Sequence, residues 1–435
     1  MEKLKGKIKA ILAKKNITAD IYMEENVKSE VQANDGEIEK ITKADSFGAG
    51  IRVFKDGKMG TGYFTIKDAA AAELVIDKAC EAALIQGYED YKMPGYFKSA
   101  AIKLADPDFS KISVENLKKT ALLLESSAKT GPKVKFVRDT QVTSVISRVS
   151  MLNTSGAEAD FEKTIFVAFT GAISVDGAEQ EAVEVAEVSV LFDKINAEEL
   201  GKDCGERASA LLHGRSLKSG NYNIILPPYV AHDFLTLLSR MFLANNIRKG
   251  KSLLAKNKKG DDIASKILTI RDDALLDFGA GSYPVDGEGS PGQNKSVIEG
   301  GKLNTFLYDI VNAGRMKAAS SGNCIRPDFK GLPDCGPSNF YISPGSGSCG
   351  AETGILVNSL MGLHMTDTIS GNFSLGINGW LLEKGEKKQA VKETLITGNI
   401  RDFLMKIDTI CDDLKFYGSF GSPTIGVRDI AVAGK

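Results

Sequence analysis

The sequence predicts an α+β protein of two domains, each with mixed or antiparallel sheets and packed helices. Its 435 residues can form two or three domains with separate cores. Hairpin signals and helical stretches alternate without a regular strand-helix-strand rhythm, which argues against a doubly wound parallel sheet. Glycine supplies 44 residues, about 10% of the chain against a usual ~7%, so we expect many tight turns.

The N-terminal stretch predicts a helix, short strands and a second helix. Lysines and apolar residues alternate at helical spacing over residues 3–16. Short strands follow over residues 18–65, separated by hairpin signals at 34–36 (Asn-Asp-Gly) and 55–57 (Lys-Asp-Gly). Asp68 can accept backbone N–H bonds at the start of an alanine-rich helix that runs to about residue 86.

The middle of the chain adds two helices with strands between them, and then a domain boundary. The predicted helices cover residues 113–129 and 197–212, and the predicted strands include 164–175 and 182–192. The polar, unpatterned segment 213–220 indicates the boundary. We therefore predict an N-terminal α+β domain over residues 1–214 and a β-rich α+β domain over residues 220–435.

The C-terminal half predicts a strand and a helix, followed mainly by hairpins. The strand covers residues 222–226, the helix about 229–244, and hairpins turn at 300–301 and 384–387. Residues 279–294 hold five glycines, two prolines and two acids, a composition that suits neither a strand nor a helix. Such a loop can bring backbone and carboxylates close to a ligand, although a purely structural loop has equal support.

Composition argues against nucleic acid and membranes as direct partners. Lys and Arg number 55 and Asp and Glu 56, so the net charge of -1 creates no global field for a polyanion. The stretch 248–259 has six basic residues but no aromatic residue to stack on a base, which favours a solvated loop. No apolar run reaches the ~18 residues that a membrane span needs.

We expect a cytoplasmic protein with reduced thiols. The first residues alternate lysine with apolar residues, and they lack the apolar core and cleavage site of a signal peptide. The six cysteines lie far apart in the chain, which is not typical of a disulfide framework.

No complete catalytic or metal motif occurs in the sequence. A zinc hydrolase usually places two histidines one helical turn apart, with a glutamate beside them as base. His213, His232 and His364 are widely separated, and no HExxH or HExxxH string exists. His232 precedes Asp233 on a predicted helix, but a satisfied or solvent-facing helix histidine is the better interpretation.

Two other patterns favour structural interpretations. Cys324, Cys335 and Cys349 with His364 could supply four metal ligands, but they lack closely paired cysteines. Residues 345–350 match G-x-G-x-x-G between a predicted strand and a possible helix. Since Pro344 interrupts the junction and no further βαβ units follow, a glycine-rich turn is favoured over a dinucleotide site.

Several segments, taken in order, resemble the TldD/PmbA family. The C-terminal ones are DGEGSPG at 286–292, IEGGKL at 298–303, NAGR at 312–315, SGN at 321–323, DTISGNFS at 367–374, GWLLEKG at 379–385, ITGN at 396–399 and GSPT at 421–424. NTSG at 153–156 matches more loosely, so the resemblance covers essentially the whole chain. It implies two-domain α+β subunits in the cytosol, a historical label as modulators of DNA gyrase, and a role in proteolysis of small peptides and antitoxins.

The resemblance is to the PmbA branch of that family, which is also called TldE. The TldD branch carries an HExxxH helix whose histidines bind zinc together with a distant cysteine. Here the corresponding helix has His232, but Asp233 replaces the glutamate and Leu237 replaces the second histidine. Residues 416–421 contain no cysteine at the place of the third ligand, and Cys411 comes too early to match it.

The resemblance therefore implies a subunit that works with a TldD-like catalytic chain, with itself as a homodimer, or with both. We predict no catalytic residue, no metal ligand and no cofactor in this chain, and a small peptide as substrate. The predicted substrate-binding residues are Asp286, Glu288, Gly289, Gly292, Ser320, Gly322 and Asn323. Two alternatives remain: a non-enzymatic regulator of the DNA gyrase modulator type, and an autonomous peptidase with an unrecognised metal site.

Overall fold

A computed structural model describes residues 1–83, 92–96, 99–346 and 353–435. It confirms the α+β class, since the described residues form three six-stranded sheets, a small two-stranded sheet and eight α-helices. No helix of this part of the chain is long and apolar enough to cross a membrane.

The first sheet is antiparallel throughout, with the strand order β3-β2-β1-β4-β5-β6. Its strands are β1 (Thr18–Asn34), β2 (Glu37–Lys55), β3 (Lys58–Phe64), β4 (Val134–Asn153), β5 (Glu158–Asp176) and β6 (Glu179–Ser189). The predicted turns are present, because Asp35-Gly36 and Asp56-Gly57 all have positive φ, as a tight hairpin turn requires. The prediction of short strands was wrong, since β1 and β2 have 17 and 19 residues.

Four helices cover one face of this sheet. They are α1 (Glu2–Lys15), α2 (Ala69–Ala82), α3 (Val114–Ala128) and α4 (Ala197–Ala210). Asp68 caps α2 as predicted, and Ser113 forms a capping box with Asn116 at the start of α3. The predicted end of α2 near residue 86 lies outside the described residues, and the observed helix ends at Ala82. Because side chains alternate along a strand, the opposite face of the sheet is left to meet the C-terminal half.

The C-terminal half contributes fourteen strands and four helices to the described structure. The helices are α5 (Pro228–Ser239), α6 (Ala244–Arg248), α7 (Ile310–Arg315) and α8 (Ile400–Met405). The strands are β7 (Gly220–Leu226), β8 (Ile270–Asp273), β9 (Asn294–Glu299), β10 (Lys302–Leu303), β11 (Cys324–Ile325), β12 (Asp334–Cys335), β13 (Asn339–Ile342), β14 (Thr353–Met361), β15 (Asn372–Glu383), β16 (Glu386–Asn399), β17 (Ile407–Ile410), β18 (Lys415–Tyr417), β19 (Phe420–Ser422) and β20 (Ile425–Ala433).

Two mixed sheets sandwich the helix α5. One has the order β10-β9-β8-β13-β19-β18, and the other has the order β16-β15-β14-β7-β20-β17. In the second, β16 also pairs with β20, which closes five strands into a ring. Val230, Phe234 and Leu238 of α5 are buried in the largest hydrophobic cluster, which includes residues of both sheets. The predicted helix at 229–244 is shorter than expected, because a 3₁₀ turn follows at Arg240–Phe242.

The structure differs from the sequence prediction at the glycine-rich stretch 345–350 and at one cysteine. A strand, β14, follows the G-x-G-x-x-G stretch instead of a helix, and residues 347–350 of that stretch, including Cys349, lie outside the described residues. Cys80, Cys204, Cys324 and Cys335 are free thiols, but Cys411 is disulfide-bonded, so the expectation of reduced thiols was wrong for Cys411.

Contacts join the two predicted domains. Arg207 of α4 donates to Asn358 of β14, and Arg52 of β2 donates to Glu288 in the loop before β9. The division at residues 214–220 stays a prediction.

Candidate functional site

A cavity of about 590 Å³ surrounds His232, at the junction of the two halves. Its walls come from β6 and α4 of the N-terminal half and from α5, β14 and β18 of the C-terminal half. β6 and β18 are edge strands of their sheets among the described residues, so each presents an unpaired side to this region.

His232 lies in the first turns of α5, which begins with proline at its first position. Its imidazole stacks on Tyr417, with ring centroids 4.6 Å apart, and its Nε2 lies 3.3 Å from Oδ1 of Asp233. Its Nδ1 is buried and has no hydrogen-bond partner among the described residues. Burial lowers the pKa of His232, and the Asp233 carboxylate and the backbone of Tyr229 and Pro228 only partly oppose this, so the imidazole is neutral at neutral pH.

Arg207 also lines the cavity, and it links α4 to α5 and β14. Its guanidinium lies 4.1 Å from the ring centroid of Tyr229, and its Nη1 is 3.2 Å from Oδ2 of Asp203. Its Nε donates to Oδ1 of Asn358 at 3.1 Å. The remaining charged residues of the lining are mostly acidic: Glu184, Glu187, Glu199, Asp233 and Lys415. The cavity therefore presents more negative than positive charge.

The donors around His232 do not fit the catalytic zinc that the family resemblance implies for its TldD branch. Such a site needs three protein ligands, and here Leu237 is buried in the core at the place of the second histidine. Tyr417, from the segment where TldD has its cysteine, covers the imidazole face. Among the described residues, no group of three His, Cys, Asp or Glu side chains could hold a metal ion. The other histidines do not join this site, because His213 contacts Asp176 and His364 is exposed.

The predicted binding residues gather in a different place, in the loops before β9 and around β11. Asp286 accepts backbone N–H bonds from Glu288, Ser290 and Cys324 at 3.0, 2.9 and 3.0 Å. Burial, reinforced by the Glu288 charge, raises the pKa of Asp286 to about 7. The carboxylate oxygens of Asp286, which were predicted to bind a ligand, therefore bind the backbone and stabilise the loop.

Glu288 is also engaged by the protein. It accepts from Arg52 Nη1 at 3.1 Å and from the backbone N–H of Ile310 at 3.0 Å. Burial raises the pKa of Glu288, and the Arg52 charge opposes that shift. This carboxylate joins the first sheet to the start of α7.

The other predicted residues pack in the same loop cluster. Gly289 and Gly322 have positive φ, and a Cβ on Gly292 would lie 2.5 Å from the carbonyl oxygen of Tyr283. Asn323 is fully buried and donates to Asp272 and to the carbonyl of Gly336, and Ser320 donates to the carbonyl of Tyr308. The structure thus brings all seven together as a packed loop cluster, and their contact with a substrate stays a prediction.

Sequence reasoning missed the basic residues that meet these loops. Arg52 and Arg326 both contact Asp20, and Arg52 is separated from Glu288 by 236 residues. The one local signal was a charge between Ile51 and Val53 in an otherwise apolar strand segment, which is unusual for a buried strand.

Comparison with known proteins identifies the family. Residues 219–434 match the model of the PmbA/TldA metallopeptidase C-terminal domain, and residues 19–83 match that of PmbA/TldA metallopeptidase domain 1. The chain belongs to the PmbA/TldD family.

Full-length relatives agree with this family assignment. The metalloprotease PmbA homolog of Buchnera aphidicola is 27% identical, over 98% of this chain and 92% of the relative. A Thermotoga maritima crystal structure, described as a candidate modulator of a DNA gyrase, matches with a TM-score of 0.90 and 25% identity, over 99% of this chain and 100% of that one. TldE from Thermococcus kodakarensis shares the fold, with a TM-score of 0.83 and 20% identity, over 96% and 97% of the two chains.

Proposed function

We propose that this chain is the PmbA/TldE-type subunit of a cytoplasmic metallopeptidase that processes small peptides, and that a TldD-like partner supplies the zinc. The observation that carries the proposal is the environment of His232. Leu237 is buried in the core at the place where the resemblance puts the second histidine of the TldD branch, and residues 416–421, which include the Tyr417 that stacks on the imidazole, contain no cysteine. A single neutral imidazole cannot hold a catalytic zinc by itself.

The form of the cavity supports a role in holding an extended peptide. Residues 184–188 of β6 and residues Lys415 and Tyr417 of β18 line it, and both strands are sheet edges among the described residues. An edge strand binds an extended chain through main-chain hydrogen bonds, which gives affinity with little dependence on sequence. In this proposal the subunit positions the peptide, and the partner cleaves it.

The experiment compares the purified chain with its co-expressed complex with a TldD-like chain, using native mass spectrometry, metal analysis and turnover of short peptides. We expect no stoichiometric zinc and no turnover for the chain alone, and both for the complex. Stoichiometric metal and turnover in the chain alone would support an autonomous peptidase instead. Specific association with DNA gyrase, without peptide turnover in any assembly, would support the regulator.

Tryptophan substitutions at two alanines of β6 test the cavity itself. Ala186 is exposed and lines the cavity, whereas Ala182 is exposed on the same strand but outside it. We expect Ala186→Trp to reduce turnover by the complex while assembly and zinc content are unchanged, and Ala182→Trp to leave all three unchanged. Equal activity of the two variants would remove this cavity from the mechanism.

A further inference from the structure

A second cavity, of about 660 Å³, separates the first sheet from loops of the C-terminal half. Its floor is the helix-free face of β1, β2, β4 and β5, and its roof comes mainly from residues 280–287 and 324–327. Of the seven predicted binding residues, Asp286 alone lines it. A cavity of this size accommodates a small-molecule or short-peptide ligand.

A row of polar side chains crosses the floor of this cavity. Ser46 of β2 is paired with Asn26 of β1, Asn26 with Ser147 of β4, and Ser147 with Lys163 of β5. Directly paired residues of an antiparallel sheet present their side chains on the same face. All four residues line the cavity, so hydroxyl, amide and ammonium groups lie in one line beneath it.

Lys163 lies at one end of this row, and one N–H donor of its ammonium group is unused by the described residues. Its ammonium donates to the carbonyl oxygens of Ala280 and Ser282, and the second distance is 3.2 Å. An ammonium has three N–H donors, so one remains for a ligand. The structure gives Lys163 no carboxylate partner among the residues it describes. Burial lowers the pKa of Lys163 to about 8, which leaves the side chain mostly charged at neutral pH.

Glu24, which lies two residues from Asn26 on β1, is a carboxylate whose hydrogen-bond donors among the described residues are all neutral. Its carboxylate accepts from the Tyr22 hydroxyl at 3.0 Å and from Nδ2 of Asn26, both of which are neutral donors. Oδ1 of Asn26 is buried and has no hydrogen-bond partner among the described residues. Buried acceptors are usually paired, so this end of the row lacks a donor.

The remaining charged residues of the lining are already engaged. Lys28 lies 2.7 Å from Glu30, and Arg326 lies 3.3 Å from Asp20. Asp286 is occupied by three backbone N–H groups. Lys163 and Glu24 are therefore the two charged groups of the described lining that have neither an ionic partner nor, as Asp286 has, three backbone N–H donors.

We propose that this cavity binds a short peptide by its two charged ends, with the C-terminal carboxylate at Lys163 and the amino group at Glu24. Glu24 and Lys163 are two strand spacings apart across the sheet and two residues apart along the strands, or roughly 12 Å. Three or four extended residues span about 10–14 Å, so the two charged ends match a tripeptide or a tetrapeptide. The peptide nature of the ligand rests on the proposed function, whereas binding needs neither zinc nor the partner subunit.

Isothermal titration calorimetry on the purified full chain tests this site with three probes. These are trialanine, its C-terminal amide, and its N-acetyl derivative. Because a charge-assisted hydrogen bond to a partly buried ammonium is strong, we expect the amide to bind about 10- to 100-fold more weakly than trialanine. The N-acetyl derivative should bind more weakly as well, since it offers Glu24 no cation.

Variants assign the two ends of the peptide. We expect Lys163→Met to weaken trialanine by the same factor as amidation, and to leave the affinity for the amide unchanged. Glu24→Gln should weaken trialanine but not the N-acetyl derivative. Lys135→Met, an exposed lysine of β4 outside the cavity, is the matched control and should bind like the unaltered chain.

Several results would overturn the proposal. They are equal affinity for trialanine and its amide, full binding by Lys163→Met, acetate binding as tight as trialanine, or no binding of any peptide at about 10 mM. Absence of tripeptide binding by the unaltered chain, with normal zinc-dependent turnover by the complex, would reject the cavity inference alone. Tripeptide binding by a chain that supports no turnover would reject the proposed function alone.

Discussion

The buried arginine Arg52 offers the sharpest test of how the two halves of the chain are joined. It is 2% exposed, donates to Asp20 through Nε, and lies 3.1 Å from Glu288 through Nη1. Arg52→Ala leaves both carboxylates buried. In the variant, Asp20 retains its ion pair with Arg326 at 3.3 Å, and Glu288 retains only the hydrogen bond from the backbone N–H of Ile310 among its partners described above.

The expected loss follows from the uncompensated charge. Removing one partner of a buried ion pair costs about 3–5 kcal/mol, because the remaining charge has lost its compensation. Burial raises the pKa of Glu288 even with Arg52 present, and removal of Arg52 raises it further. A carboxyl group whose pKa is higher in the folded than in the unfolded state costs stability as pH rises through that interval. The deficit of the variant should therefore be larger at about pH 8 than at about pH 5.

Urea denaturation followed by circular dichroism and by fluorescence of Trp380, the only tryptophan of the chain, measures this loss. Arg148→Ala is the matched control, since Arg148 pairs with Glu162 on the same sheet but both are about half exposed. We expect the control to lose less than about 1 kcal/mol. A similar small loss for Arg52→Ala, or a loss that does not grow with pH, would refute the reasoning.

Two further predictions concern packing and thiol chemistry. Gly205→Ala should lower the melting temperature although alanine has the better helix propensity, because the new Cβ would lie 2.4 Å from the carbonyl oxygen of Ala128. Gly6→Ala, in open space on α1, should raise the melting temperature slightly, and a change of the same sign in both variants would contradict the packing argument. Burial raises the pKa of the Cys204 thiol to about 12, whereas Cys80 is partly exposed. Alkylation of the native protein, followed by peptide mass analysis, should therefore find Cys80 labelled long before Cys204, and equal labelling rates would contradict this.

Local signals in the sequence were sufficient for turns and helix starts. The turns at 35–36 and 56–57 and the cap at Asp68 depend on residues within a few positions of each other, so their chemistry is visible in the sequence. Local signals did not predict the length of the strands, because β1 continues through the polar stretch at 24–30. β2 and β4 pair with it on both sides, so its backbone hydrogen bonds are made regardless of side-chain polarity.

The two cavities could not be derived from sequence for a related reason. The spacing of His232 and Leu237 on one helix is local, and the sequence already shows it. The row from Ser46 to Lys163 exists only because three strand pairings share one register, and a shift of one residue would turn a strand's side chains to the other face. Such a register is a property of the folded sheet.

Both cavities draw their walls from both halves of the chain. Around His232, β6 and α4 face α5 and β18, while around Lys163 the first sheet faces the loops at 280–287. A ligand in either cavity therefore binds only the state in which the halves are together, and it stabilises their contact by the free energy of its binding. Conversely, a change that weakens the contact, such as loss of the Arg52–Glu288 pair, must weaken ligand binding whenever the halves separate before the rest of the chain unfolds. The boundary predicted near residue 214 thus runs between the walls of both cavities, and neither cavity can form from one half alone.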